Sequence, residues 1–127
     1  MHLMALAPEP QIAVVDDDPS MRRGLRRILN SNGFCVTEYE SAEKFLSRKD
    51  GTHPTCLILD IQLGGMNGIE LVAALHRFGI NIPTILITAL EQSDHLLQGE
   101  EAQRTPMLKK PFSSIELLSL VAKLQIS

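Results

Sequence analysis

Apolar positions along this chain follow two alternating patterns. Short unbroken runs are separated by longer stretches in which apolar residues recur every three or four positions. Ile12-Ala13-Val14-Val15, Cys56-Leu57-Ile58-Leu59 and Thr84-Ile85-Leu86-Ile87 are runs of the first kind, and read as strands of a parallel sheet buried on both faces. Two weaker runs bring the count to five, with strands expected at about 11–16, 34–39, 55–60, 83–88 and 106–109. Pro83 is tolerated as the first residue of its strand.

The intervening stretches carry helix signals. Asp18 is placed to cap the first helix, with Pro19 at the first helical position, where its missing N–H costs nothing. Met21, Leu25, Ile28 and Leu29 form its apolar stripe, and Asn32-Gly33 ends it. Ser41 caps a short second helix holding Phe45 and Leu46, and Lys49-Asp50-Gly51 is a turn. Asn67 caps a third helix with Leu71, Leu75 and Phe78 along one side. Glu91 to Arg104 holds only Leu96, Leu97 and Ala102 as apolar residues, and is expected to form a short, mobile fourth helix. Ser113 and Glu116 form a capping box for the last helix. Leu117, Val121 and Leu124 make its buried side, with Leu118 beside them. Five strands alternating with five helices across short joints predict an α/β fold, a doubly wound parallel sheet with helices on both faces.

The strand runs end in polar residues. The first meets Asp16-Asp17-Asp18, the third Asp60, the fourth Thr88 and the fifth Lys110-Pro111. In open α/β sheets, ligands bind in the crevice outside the carboxyl ends of the strands, so these side chains are expected along one edge. Clustered carboxylates repel one another unless a cation neutralises them, and they suit a hard divalent cation such as Mg2+. A hydroxyl and an ammonium suit the oxygens of a phosphoryl group, and a lone carboxylate at a strand end can attack phosphorus. Each residue alone has a plainer reading. Asp60 caps a loop, Thr88 is a β-branched strand residue, and Lys110 is a solvated lysine no different from Lys109. Asp18 is taken as the helix cap.

Asp16-Asp17, Asp60, Thr88 and Lys110-Pro111, in this order and at these spacings, resemble the receiver domain of bacterial two-component response regulators. The resemblance runs from about Gln11 to the C-terminus. It implies a flavodoxin-like, chemotaxis-regulator-like sheet of strand order 2-1-3-4-5. It also implies that Asp60 accepts a phosphoryl group from a histidine kinase or phosphotransfer protein. Mg2+ would be held by Asp17, Asp60 and the backbone carbonyl of Gln62, with Asp16 acting largely through water. Thr88 and Lys110 would hold phosphoryl oxygens, and a cis Lys110–Pro111 bond would aim the lysine. Ser41-Ala42-Glu43-Lys44-Phe45-Leu46 and Pro111-Phe112-Ser113 are similar to segments of nitrogen-fixation-regulator receivers, which usually carry a C-terminal DNA-binding domain.

Three features depart from the family's pattern. Met107 stands where the switch aromatic on strand five is usual, and with Thr88 makes up the expected switch. Gly64 replaces a proline in the loop after the acceptor, which frees that backbone. Gln103-Arg104 replaces a Gly-Ala pair, on a surface commonly used for dimers or partners. Gln62 and Leu90 occupy the positions that tune acyl-phosphate lifetime; Gln62 can orient a water and Leu90 exclude one.

Composition adds limits. The chain has 127 residues, 44% hydrophobic and 21% charged, which is enough for one domain with a real core. Residues 1–10, with Pro8 and Pro10, are expected to be a disordered leader to a domain at 11–127 with no second domain after it. A net charge of −3 gives no reason to expect nucleic-acid binding. No apolar run approaches the ~20 residues of a membrane span, and the start lacks the features of a signal peptide. Cys35 and Cys56 are expected as buried reduced thiols of a cytoplasmic protein. His2, His53, His76 and His95 are scattered, none pairs with a neighbour at metal-binding spacing, and all four are expected at the surface.

Two other functions fit parts of the pattern. One is a Mg2+-dependent phosphohydrolase resembling the haloacid dehalogenase superfamily, with a D-x-D motif in 16–18 and later motifs at Thr88 and Lys110. It expects a further acidic motif where only Glu116 follows, and leaves Asp60 without a role. The other is a flavodoxin-like binding domain, against which stand the missing phosphate loop and the acidic run.

Overall fold

The computed structural model describes residues 11–49, 53–91 and 93–126. The expected leader, His2 and the turn residues Asp50 and Gly51 lie outside the described residues. Five strands are formed: β1 (Gln11–Val15), β2 (Cys35–Tyr39), β3 (Cys56–Asp60), β4 (Thr84–Thr88) and β5 (Met107–Lys109). The helices are α1 (Pro19–Asn30), α2 (Ala42–Leu46), α3 (Gly68–Arg77), α4 (Glu100–Arg104) and α5 (Ser114–Ile126). All strand pairs are parallel, in the order β2-β1-β3-β4-β5. The fold is the expected α/β doubly wound, flavodoxin-like sheet.

Strand alternation divides the core in two. Ala13, Val15, Leu57, Leu59 and Leu86 face Phe45 of α2 and Leu71, Val72 and Leu75 of α3. Ile12, Val14, Cys56, Ile58, Ile85 and Ile87 face Leu25 and Leu29 of α1 and Leu117 and Val121 of α5. Burial on both faces is why these strands have no polar alternation. Phe45 meets Tyr39 edge-on at 5.2 Å between ring centroids, an arrangement that aromatic quadrupoles favour.

The helix starts follow their caps. Asp18 Oδ1 accepts from the Ser20 amide at 2.9 Å, ahead of Pro19. Asn67 and Glu70 form a reciprocal capping box at 2.8 and 2.9 Å, and Ser113 and Glu116 form another, both bonds at 3.1 Å.

Several expectations need correction. Each strand lacks its expected first or last residue, since ladder bonding stops where the chain turns. Phe78 does not share the buried side of α3. It caps the C-terminus, before Gly79 turns the chain at φ +73°, and is 72% exposed; Val72 takes the place beside Leu71 and Leu75. The Glu91–Arg104 segment does form the expected short fourth helix, but only over α4, after a 3-10 turn (His95–Gln98), because its few apolar residues, of which Leu97 and Ala102 are buried, anchor only short turns. Cys56 is buried, but Cys35 is half-buried because β2 is an edge strand. Leu124 is also only half-buried. His53, His76 and His95 are exposed, as expected, and His76 Nδ1 lies 3.1 Å from Glu101 Oε2. His95 Nδ1 lies 3.7 Å from Asp94.

Candidate functional site

Sheet register assembles the site. Val15 is paired with Leu59, Asp60 with Ile87, and Thr88 with Lys109. The residues that end β1, β3, β4 and β5 therefore emerge along one edge.

Asp60 is the last residue of β3 and 6% exposed. Its Oδ1 accepts from the Gln62 backbone N–H at 2.8 Å, and its Oδ2 accepts from Lys110 Nζ at 2.9 Å. Both carboxylate oxygens are thus held by donors, one of them charged. The strand end is fixed from behind by α3. A Cβ on Gly68 would lie 2.5 Å from the Asp60 carbonyl oxygen, so only glycine lets the helix start so close. The Lys110 amide donates to the Thr88 carbonyl at 2.8 Å, and the Lys110–Pro111 peptide is cis, as the resemblance implied. Burial works against the Lys110 ammonium, but its bond to Asp60 and the charges of Asp60, Asp16 and Asp18 outweigh this, holding its pKa above the ordinary lysine range.

Asp16 follows β1 and is almost wholly enclosed. Its N–H donates to the Tyr39 carbonyl at 3.1 Å, and its Oδ1 accepts from the Asp18 amide at 2.9 Å. Its Oδ2 is buried and meets no hydrogen-bond donor among the described residues. Desolvation raises the Asp16 carboxyl from 3.8 to about 6; the Asp18 amide opposes the rise, the nearby Asp60 charge adds to it, and Lys110 offsets part of it. Asp17 is exposed, and no hydrogen bond or ion pair among the described residues is shown for it.

Thr88 is buried. Its Oγ1 accepts from the Leu90 amide at 2.8 Å, which orients the hydroxyl and leaves its hydrogen to donate elsewhere. Leu90 packs against the α3-side core, as does Met107 of β5. Met107 pairs with Leu86, so the methionine sits in the sheet edge as a half-buried gap-filler. Gln62 is exposed.

Among the described residues, no three of His, Cys, Asp and Glu converge closely enough to enclose a metal unaided. The donor set still fits a hard cation. Two neighbouring buried carboxylates, one with an oxygen lacking a donor, form the kind of site that a cation with several of its own waters completes.

Some site contacts were not evident from the sequence. Arg22 of α1 donates from Nη1 to the Asp16 carbonyl at 2.6 Å, and Glu43 Oε2 of α2 accepts from the Met66 amide at 2.9 Å. These are side-chain-to-backbone bonds between elements, for which the residue pattern holds no signal.

Comparison with known proteins agrees with this geometry. The profile of the response regulator receiver domain matches residues 12–122. Nodulation protein W of Bradyrhizobium diazoefficiens is 34% identical over 110 residues, covering 87% of this chain and 48% of that protein. Transcriptional regulatory protein FixJ of Rhizobium meliloti is 30% identical over 112 residues, covering 88% and 55%. The chain therefore spans about half the length of these relatives. The response regulator TrrA of Thermotoga maritima, solved in complex with Mg(2+)-BeF, superposes with a TM-score of 0.78 at 28% identity, covering 90% of this chain and 97% of that one. The match does not favour the phosphohydrolase alternative, which leaves the buried, lysine-paired Asp60 without a role. A five-stranded sheet of this order, with an aspartate held by a lysine at its edge, together with a match over most of its length, places this chain in the receiver-domain family of two-component response regulators.

Proposed function

We propose that Asp60 is the phosphoacceptor of a two-component signalling module, with Lys110, Thr88 and the acidic pair Asp16-Asp17 as its machinery. The observation that carries this reading is the Asp60 carboxylate, buried at a strand end and bonded to Lys110 Nζ at 2.9 Å and to the Gln62 amide at 2.8 Å. The donor is a phosphohistidine on a histidine kinase or phosphotransfer protein. An Asp60 oxygen forms the new O–P bond as the P–N bond breaks, and that electron pair returns to the donor imidazole. The held carboxylate meets phosphorus with little reorientation. Lys110 neutralises charge on the transferred oxygens and the Thr88 hydroxyl donates to one of them.

Asp17, Asp60 and the Gln62 carbonyl would hold Mg2+, with Asp16 reaching it through water. When bound, Mg2+ offsets the repulsion between the carboxylates and the incoming phosphoryl oxygens. Support comes from the Asp16 Oδ2, which lacks a donor among the described residues, and from the Mg(2+)-BeF complex of TrrA. Once phosphorylated, the domain switches through Thr88 and Met107, and two copies pair. It acts in the cytoplasm, as a signalling module and not as a turnover enzyme, without contacting nucleic acid or membrane through these residues. No helix among the described residues is long and apolar enough to cross a membrane.

The test is intact mass after incubation with Mg2+ and acetyl phosphate, on wild type and Asp60→Asn. One added phosphoryl group, dependent on Mg2+ and absent from the variant, is expected. An adduct of equal rate and amount on the variant would refute the acceptor assignment.

A further inference from the structure

Both backbone polar groups of Asp16 are held by partners from outside the loop. Its N–H donates to Tyr39 of β2 at 3.1 Å. Its carbonyl, whose carbon begins the peptide unit leading to Asp17, accepts from Arg22 Nη1 at 2.6 Å. Arg22 is itself held. Its Nε donates to Glu38 Oε1 at 3.2 Å, and Glu38 Oε2 takes a second guanidinium, Arg26 Nη1, at 2.8 Å. The Arg22 and Glu38 side chains are only 16% and 20% exposed, so this is a braced contact and not a loose surface pair. A planar guanidinium can serve the carbonyl and the carboxylate at once, in fixed relative directions.

The consequence falls on Asp17. Rotating the Asp16–Asp17 peptide would swing the Asp17 Cα, and its carboxylate with it, relative to Asp60. On its far side the Asp18 amide is held by Asp16 Oδ1 at 2.9 Å, and the Asp17 side chain has no hydrogen bond or ion pair among the described residues, so its placement depends on its two flanking peptides. We propose that Arg22, braced by Glu38, is a positioning residue for the acidic pocket, setting the Asp16–Asp17 peptide so that the carboxylates can share a divalent cation. The inference rests on the Mg2+-dependent acceptor reading above. Arg22 touches neither phosphoryl group nor metal in this role.

Charge and geometry predict opposite signs, which makes the role testable. A cation beside a cation site repels Mg2+, so losing the Arg22 charge should by itself tighten Mg2+ binding. Losing the orientation should weaken it, as losing outer partners of metal ligands does. The experiment is calorimetric titration of the full chain, stripped of metal, with MgCl2 alone at fixed ionic strength. Wild type, Arg22→Met, Arg22→Lys and Arg26→Met are compared, with circular dichroism and a thermal melt on each. Arg26→Met removes the other bond to Glu38 without touching the Asp16 carbonyl.

Arg22→Met is expected to weaken Mg2+ binding roughly tenfold, at the low end for outer-shell partners. Arg22→Lys keeps the charge but not the fork, and should weaken it about threefold, while Arg26→Met stays within about twofold of wild type. An Arg22→Met protein that binds Mg2+ as well as wild type, or better, overturns the inference and leaves the acceptor reading standing. Equal weakening by Arg26→Met also overturns it, as a general loosening of the network. A wild type that binds no Mg2+ overturns both readings together. If Arg22→Met does not fold, Arg22→Lys decides, and affinity equal to wild type refutes the inference.

Discussion

Replacing Asp16 with asparagine should stabilise this protein when metal is absent. The Asp16 carboxyl is almost wholly buried, with Oδ2 unpartnered among the described residues, and its pKa is raised from 3.8 to about 6. A rise of about two units at ~1.4 kcal/mol each means that ionised Asp16 costs the fold about 3 kcal/mol. The folded state holds the Asp16 proton more tightly than the unfolded chain does. This residue's contribution is therefore fully present below pH 3.8 and is lost as pH rises through about 6. The side-chain amide of the Asp16→Asn variant would keep an oxygen for the Asp18 amide and place a donor beside Asp60. Its own desolvation brings the expected net gain at pH 7.5 to roughly 1–2 kcal/mol. The assay is urea unfolding in EDTA, with wild type and variant compared at pH 7.5 and pH 4.5. The variant's advantage should be about 2 kcal/mol larger at pH 7.5, whatever the fixed cost of the amide. Subsaturating Mg2+ should shrink it, because a ligand of the folded state stabilises more the protein that binds it more tightly. A variant less stable than wild type at pH 7.5, or an advantage independent of pH, would refute the argument.

Three further substitutions test the site's supports. Lys110→Met should leave the buried Asp60 facing Asp16 without its ammonium, lowering unfolding free energy at pH 7.5 by about 1–3 kcal/mol; an unchanged urea midpoint would contradict the bond seen at 2.9 Å. Gly68→Ala puts a Cβ 2.5 Å from the Asp60 carbonyl oxygen and should cost about 1–3 kcal/mol by overpacking, read from the same curve, whereas a neutral change would mean that α3 can retreat freely. Asn67→Ala removes half of the α3 capping box and should cost about 1 kcal/mol, and an equal loss from Asn67→Asp would show that the cap's oxygen is not the cause.

Stability and function meet at the same residues. The fold keeps Asp16 and Asp60 close and poorly solvated, which weakens the empty protein but prepares the pocket for a cation and a phosphoryl group. The two lysines at the end of β5 divide accordingly. Lys110 points to Asp60, while Lys109 on the sheet edge lies 3.4 Å from Glu91 at the surface.

Much of this was legible in the chain. Unbroken apolar runs such as Cys56–Leu59 marked strands covered on both sides. Asp18-Pro19, Asn67 with Glu70, and Ser113 with Glu116 marked helix starts. These signals are local, because the energies of burial periodicity and capping are set by residues a few positions apart. Where local order ended, the reading failed. The spacing of Phe78 continued a stripe that the helix itself did not, and Cys35 lay in a strand that proved to be the sheet's edge. The position of residues 16, 60, 88 and 110 at strand ends suggested a common edge, and their order resembled a known family's site. Their convergence depends on parallel register across four strands, which no short segment specifies. Tertiary structure alone decided which of three consecutive aspartates is buried, which of two lysines reaches Asp60, and that Arg22 holds the Asp16 carbonyl. Those outcomes depend on backbone direction and on distance from water, and both are set only when the sheet, its helices and the loops between them close together.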